Sequence, residues 1–417
     1  MNWSRMFFRL SLAAMLLLGT SGCWDRQELE NLGFVLALGL DAAPGGRMEI
    51  TAQVAIPVRL GGGAASGGGQ GGQGPTVQVV TRTAPTLLEA FMSINRTIGR
   101  RLTLAQNRLI VFGEDTAQRG LAGYMALITR YREFRRTMQI AIVKGRAREA
   151  LGFSPTIERD PATYLLDQMR LAQSTGEAVM VNVNDFVRRM EGLGGSPFAA
   201  YFLPPPGGKN AKGGTPGKTG KEAVEGGAGI RVGGIAVFRG DRMVGVYSPR
   251  EVDYFLILAD RFSASFVDIP DPLAPGCKVI VHLTSARPVV RPRSRGGLGV
   301  KVEVKAEADL IGTENGGDYL APQNERRLEN ALSATLARRM RAVLARAQRE
   351  FRADPFAFGD RFRPLLATWA AWEKLDWPGR FPGVPFSIEA RVHLRRFGLQ
   401  REAPVPAAGG QRRRYRT

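Results

Sequence analysis

The sequence predicts an α+β protein of more than one domain, with mixed β-sheets packed against helices and a long amphipathic helix lying on a sheet toward the C-terminus. Three features carry this reading. Period-two and period-3.6 apolar patterns alternate between residues 34 and 143, which implies an α/β layer. Two low-complexity stretches, 61–74 and 204–229, punctuate the chain. One unbroken helical pattern, 322–352, runs for about eight turns.

The first residues have the layout of an export signal. Arg5 and Arg9 form a positive start, Leu10 to Leu18 an apolar run, and Gly19-Thr20-Ser21-Gly22 lead directly into Cys23. The run is shorter than the roughly 20 residues a spanning helix needs, so residues 1–22 read as a cleaved signal. A cysteine directly after small residues is where bacterial lipoproteins take a diacylglyceryl group on sulfur. Cys23 is therefore the expected lipidation site, and the mature chain is expected on the outer face of a cytoplasmic membrane. That leaves Cys277 without a disulfide partner. It is expected to be a small buried hydrophobe beside Val279-Ile280-Val281.

The formal net charge is +20 over 417 residues. An exported, tethered protein meets little nucleic acid, and no recognition motif is present. An anionic lipid surface and an Arg-rich genomic composition both account for the charge. The basic tail, 401–417, concentrates it in Arg412, Arg413, Arg414 and Arg416 and reads as disordered.

The domain reading places an N-terminal domain at 23–203, with a second module possible beyond residue 150. A flexible interdomain linker follows at 204–229, and a C-terminal domain at 230–400. In the first domain, strands are expected at Phe34–Leu40, Met48–Val58, Thr76–Arg82, Leu109–Phe112 and Met138–Val143. Helices are expected at Thr86–Arg101, Asp115–Arg130, Pro161–Gln173 and Val183–Met190, and the glycine run 61–74 reads as a flexible loop. In the second domain, Ile230–Phe238 and Met243–Tyr247 form a hairpin around Arg239-Gly240-Asp241. A helix at Arg250–Asp260, strands at Lys278–Ser285 and Val300–Leu310, the helix 322–352 and a strand at Phe386–Leu394 complete it. Along the long helix Leu328, Leu332, Leu336, Met340, Val343, Ala347 and Phe351 share a face. Arg327, Arg338, Arg341, Arg346 and Arg349 fall largely on its other sides, where they could dock on an acidic loop of a partner.

The residues offer no catalytic constellation, so the chain reads as a non-enzyme with no cofactor and no metal site. Its two histidines, His282 and His393, are isolated in strand-like runs. The glycine run contains GxGxxG spacings without the flanking strand, helix and downstream acid of a dinucleotide site. Gly213 to Thr219 imitates a phosphate loop, but Pro216 removes a needed N–H and no strand enters it.

The start Cys23-Trp24-Asp25-Arg26-Gln27-Glu28-Leu29, followed by Phe34 to Asp41, resembles the mature start of the Ger(x)C family, the C-subunit lipoproteins of bacterial spore germination receptors. Leu109 to Glu114 and Ala141 to Gly145 resemble its N-terminal domain. Gly234-Ile235-Ala236-Val237-Phe238-Arg239 with Met243-Val244-Gly245 resembles the opening of its C-terminal domain. Asp354-Pro355-Phe356-Ala357-Phe358-Gly359, then Trp369 and Trp372, resemble its end. The Gly-His pair that members often carry before the strand at Leu109 is replaced here by Ala105-Gln106. The resemblance implies a fold of three α/β domains and a place on the outer face of the spore inner membrane. It also implies a polytopic A subunit and a transporter-like B subunit as partners in nutrient sensing. The rival reading is a solute-binding lipoprotein of a transporter, and a third is a structural lipoprotein of the envelope.

Overall fold

The computed structural model describes residues 3, 6–8, 11, 31–55, 77–153, 155, 160–205, 229–294, 297–314, 319 and 321–397. The expected lipidation site, most of both low-complexity stretches and the basic tail lie outside these residues. Two sheets organise the described chain.

The first sheet has nine strands. They are β1 (Leu32–Ala42), β2 (Met48–Ala55), β3 (Val77–Ala84), β4 (Arg101–Thr103), β5 (Leu109–Gly113), β6 (Gln139–Val143), β7 (Phe198–Leu203), β8 (Arg231–Arg239) and β9 (Arg242–Tyr247). Their order is β3-β2-β1-β5-β6-β7-β8-β9, with β4 also paired to β1. The central run β1-β5-β6-β7 is parallel and both flanks are antiparallel. Parallel strands covered on both faces read as continuous apolar runs. That is why Leu109-Ile110-Val111-Phe112 and Ile140-Ala141-Ile142-Val143 show no alternation and are wholly buried.

Helices α1 (Leu87–Ile98), α2 (Glu114–Arg119) and α3 (Ala122–Arg130) cover one face of this sheet. The expected single helix at Asp115–Arg130 is therefore two. Gly120 breaks it at φ 124°, and the turn residue Asp241 caps the second piece, its main-chain oxygen accepting from Leu121 N at 3.0 Å and its Oδ2 from Ala122 N at 3.2 Å. A Cβ on Gly120 would stand 2.5 Å from Asp241 Oδ2. The opposite face is covered by α4 (Ala147–Gly152) and α5 (Pro161–Ser174), whose Ala147, Leu151, Leu165, Leu166 and Met169 meet Ala37, Leu109, Val111 and Ala141. Segment 161–174 thus completes the sheet's second layer instead of forming a module of its own. The helix α6 (Val183–Glu191), with a side-chain cap from Asn182 to Asp185 N at 2.8 Å, leads back into β7.

The stretch 204–229 also differs from the expectation of a spacer between bodies. Its two flanks are neighbouring antiparallel strands of one sheet, with Phe198 opposite Val237 and Leu203 opposite Arg231. The next helix, α7 (Pro249–Leu258), carries a Ser248–Glu251 capping box. Val252 and every residue from Tyr254 to Leu258 are buried. A helix apolar on so much of its circumference belongs in an interior. It packs on β8 and β9 of the first sheet and on the second sheet and its long helix.

The second sheet has the order β10-β11-β12-β13: β10 (Ser265–Pro270), β11 (Lys278–Arg293), β12 (Gly299–Thr313) and β13 (Phe386–Phe397). β11 and β12 extend well past their expected ends as one long hairpin, and β13 pairs parallel to β12. Parallel neighbours need a long crossover. The helix α8 (Pro322–Arg346) supplies much of it and lies on the sheet through Leu328, Leu332, Leu336, Met340 and Val343. The predicted helix to residue 352 holds as α8 followed by a π-helical turn, Ala347–Phe351, which Arg352 stops at φ 51°. Short helices α9 (Trp369–Leu375) and α10 (Trp377–Arg380) precede β13.

Candidate functional site

The most heavily built polar feature lies where the first sheet's loops meet the chain beyond α8. Asp354, 3% exposed, follows the end of the π-turn. Its Oδ2 accepts from Trp377 Nε1 at 2.8 Å and Gly359 N at 3.0 Å, and its Oδ1 from Phe356 N at 3.1 Å. Burial nevertheless pushes this carboxyl up to about 6, against the pull of those donors and of Arg189. The backbone of Asp354 also holds the first half of the chain: Ser196 N donates to its carbonyl at 2.6 Å, and its own N–H donates to Ser196 Oγ at 3.2 Å.

Close packing of glycines makes this junction tight. A Cβ on Gly359 would stand 2.3 Å from Trp377, and one on Gly195 2.9 Å from the Cβ of Ala357. Gly245 leaves room for the ring of Phe351, which a Cβ there would meet at 2.3 Å. The motif residues Asp354, Gly359 and Gly245 are thus explained by geometry. Sequence reasoning missed Trp377 and singled out Trp369 and Trp372. Trp372 is buried, whereas Trp369 is 57% exposed and donates to Glu373 Oε1 at 2.6 Å. The signal for Trp377 was its place between Asp376 and Pro378, at the start of a turn that Asp376 caps through Gly379 N.

Beside this lock opens a cleft of about 440 Å³, lined among others by Arg189, Asp260, Arg261, Ala357, Asp360 and Arg361. Asp260 and Ala357 both hold left-handed backbone, at φ 56° and 59°. Arg189 is mostly buried: its guanidinium lies 4.7 Å over the Phe198 ring and Nη1 donates to Pro355 O at 3.1 Å. Burial, reinforced by neighbouring Arg261, brings it down to about 10. Arg261 stacks on the same ring at 5.5 Å and pairs with Asp185 Oδ2 at 3.2 Å. Arg189 and Arg261, stacked on one ring and bonded to Pro355 O and Asp185, stitch α6, the chain after α7 and the Asp354 loop together.

The remaining singled-out residues are dispersed. His282 stacks on Phe266 with centroids 4.7 Å apart, and His393 Nδ1 lies 3.0 Å from Glu329 Oε1. They stand on β11 and β13 with β12 between them. Cys277 is half-buried in the turn before β11, with its N–H on Ala274 O at 3.2 Å, and not within the apolar strand. Two of the arginines expected to face a partner are used internally. Arg346 binds Glu251 at 2.6 and 2.8 Å and Glu350 at 2.9 Å, and Arg341 Nη2 donates to Ile388 O at 2.9 Å. Among the described residues, no group of three or more His, Cys, Asp or Glu is gathered for a metal ion, and no helix is long and apolar enough to cross a membrane.

Comparison with known proteins matches both halves of the chain. Residues 25–204 match the family described as spore germination protein N-terminal domain, and residues 233–398 that described as spore germination B3/GerAC like, C-terminal. The putative spore germination protein YfkR of Bacillus subtilis (strain 168) is 24% identical over 400 residues, covering 95% of this chain and 98% of the relative. Spore germination protein KC of the same organism is 23% identical over 409 residues, covering 93% and 96%. The crystal structure of the GerBC protein shares the fold with a TM-score of 0.52 at 16% identity, covering 88% of this chain and 99% of that one. The chain belongs to the Ger(x)C family and is a spore germination protein of the germinant receptor C-subunit type.

Proposed function

We propose that this protein is the lipid-anchored C subunit of a nutrient germinant receptor, held on the outer face of the spore inner membrane by acyl chains on Cys23. It assembles there with a polytopic A subunit and a transporter-like B subunit, and it contributes to triggering germination without catalysing a reaction. The observation that carries this reading is the paired family match, which begins at residue 25, two positions after Cys23, and resumes at 233. Two acyl chains give stable anchoring where one gives marginal anchoring, at about 0.8 kcal/mol per buried methylene. Anchoring confines the subunit to the membrane plane and raises its effective concentration toward membrane partners. The Asp354 lock and the shared first sheet support a subunit that acts as one rigid body.

The test is purification from spore inner membranes with mass spectrometry. The expected result is an acylated Cys23 at the N-terminus and co-recovery of A- and B-type subunits. Cys23→Ala should release the protein from the membrane fraction and abolish nutrient-triggered germination. A membrane-retained, germination-competent Cys23→Ala protein would defeat the anchor; recovery with transport ATPase components would favour a solute-binding lipoprotein.

A further inference from the structure

The parallel core of the first sheet sets one end of the molecule apart. β1 begins at Leu32, opposite Arg101 of β4, and the start of β5 lies beside the start of β6, Leu109 opposite Gln139. Every chain segment entering these strands therefore arrives at the same end. The turn from α1 into β4 brings Arg96, Arg100 and Arg101. The turn from α3 into β6 brings Arg130, Arg132, Arg135 and Arg136. The α3–β6 turn packs against the side of α1. The Phe134 ring lies 6.4 Å from Phe91 of α1 and 6.0 Å from Tyr131, and Arg101 acts electrostatically on the Tyr131 phenol.

All these arginines but Arg100 are exposed, and none of the seven makes an ion pair among the described residues. Glu133 is the one acid within 130–136. Tyr131, Leu127 and Met92 stand among them at 41%, 39% and 52% exposure. On the exposed face of the second sheet some cations are matched, as in Arg291–Glu303, Lys301–Glu389 and Arg395–Glu307, while Arg287, Lys305 and Arg391 stand opposite one another across three strands without an ion pair among the described residues. An unmatched cluster of cations around partly exposed apolar and aromatic side chains is complementary to anionic headgroups over an apolar layer.

The position of the tether agrees. The nine steps from Cys23 to Leu32 reach at most about 30 Å, and they end at this edge. The tether carries Asp25, Glu28 and Glu30 against Arg26, too few acids to neutralise the cluster.

We infer that this arginine-rich sheet end is a docking surface for anionic phospholipid and that it fixes which way the anchored protein faces the membrane. The inference rests on the reading of Cys23 as the anchor for its biological setting, but the surface can be tested without acylation. The protein from residue 23 onward, with Cys23→Ser, is sedimented with vesicles of phosphatidylcholine alone or with 30% phosphatidylglycerol. Anionic vesicles should capture it, capture should fall steeply with added salt, and neutral vesicles should not.

Arg101→Gln, Arg132→Gln, Arg135→Gln and Arg136→Gln together should weaken capture at least tenfold, with unfolding temperature unchanged. A control set of equal charge, Arg287→Gln, Lys305→Gln, Arg391→Gln and Arg326→Gln, should weaken it less than threefold. Equal losses in both sets, absence of capture, or loss only when the tail arginines 412–414 and 416 are replaced would each overturn the inference. The mass of the native N-terminus reports separately on acylation, so failure of the surface and failure of the anchor are distinguishable.

Discussion

Replacement of Asp354 by Asn tests the energetics of the junction most directly. The carboxylate serves three donors, two on Oδ2 and one on Oδ1. An Asn whose oxygen faces Trp377 Nε1 and Gly359 N keeps two of them and turns its NH₂ toward Phe356 N. One buried donor then goes unpaired, at about 1–3 kcal/mol. Against this stands the cost of ionising Asp354 in the interior. Its carboxyl lies at about 6 in the fold, above the ordinary 3.8 of the unfolded chain. The folded state therefore holds its proton more tightly, and this group's contribution to stability falls as pH rises from about 4 to about 6. Above that window the buried charge costs about 3 kcal/mol relative to low pH. Asn does not ionise. At pH 4.5 Asp354→Asn should be the less stable protein by about 1–3 kcal/mol, a few degrees in Tm, and by pH 7.5 the difference should have moved by about 2 kcal/mol in its favour. Thermal unfolding of both proteins across pH 4.5–7.5 measures this. A gap of equal size at both ends of the range would refute the assignment of a costly buried carboxylate. Asp253, brought up to about 7 by burial, titrates in the same sense in both proteins and cancels in the comparison.

Gly234 sits at φ 117°, and a Cβ there would lie 1.8 Å from Tyr247 O, whereas Gly240, at φ 61°, has nothing within 4 Å. Gly234→Ala should therefore cost about 3 kcal/mol or more and Gly240→Ala about 1 kcal/mol, read from denaturant midpoints. Arg346→Glu removes the pairs to Glu251 and Glu350 and the stacking over Tyr247 and Phe351 at 5.5 and 5.0 Å. With both partners partly exposed, the loss should be about 2 kcal/mol, while exposed Arg338→Glu on the same helix should stay within about 0.5 kcal/mol. Equal effects of the two reversals would show that Arg346 is as solvated as Arg338.

Elements whose apolar period is their own were legible. The strand at Leu109–Phe112, the hairpin around Asp241 and the long helix appear close to their expected bounds because one buried face dictates each pattern. What the sequence concealed depends on contacts distant in the chain. The break at Gly120 is set by Asp241, 121 residues later. β4 and β10 are held by pairing with β1 and β11. The roles of Gly245 and Gly359 become visible only when Phe351 and Trp377 are seen to pack against them. The inward use of Arg346, one of the arginines expected to face a partner from the long helix, was hidden for the same reason, since the acids that take it include Glu251 on another helix.

The division into two family segments and the continuity of the first sheet lead to opposite expectations for what a break in the chain would do. If the boundary separated independent bodies, cutting between residues 206 and 228 would free two particles. The structure argues otherwise. β7 and β8 pair along six positions on either side of that stretch. Phe198 of the first segment packs on Phe255 of the second at 5.1 Å, and Phe186 on Phe238 at 5.0 Å. Ser196 exchanges two hydrogen bonds with Asp354, and Arg189 reaches Pro355 O. Large aromatic side chains buried across such a contact each contribute on the order of 2 kcal/mol. A chain carrying a protease site engineered into 206–228 and cut there should still elute as one particle and unfold in a transition shared by both fragments. Separation of the fragments at micromolar concentration would mean that the continuous sheet and the Asp354 lock do not join the halves.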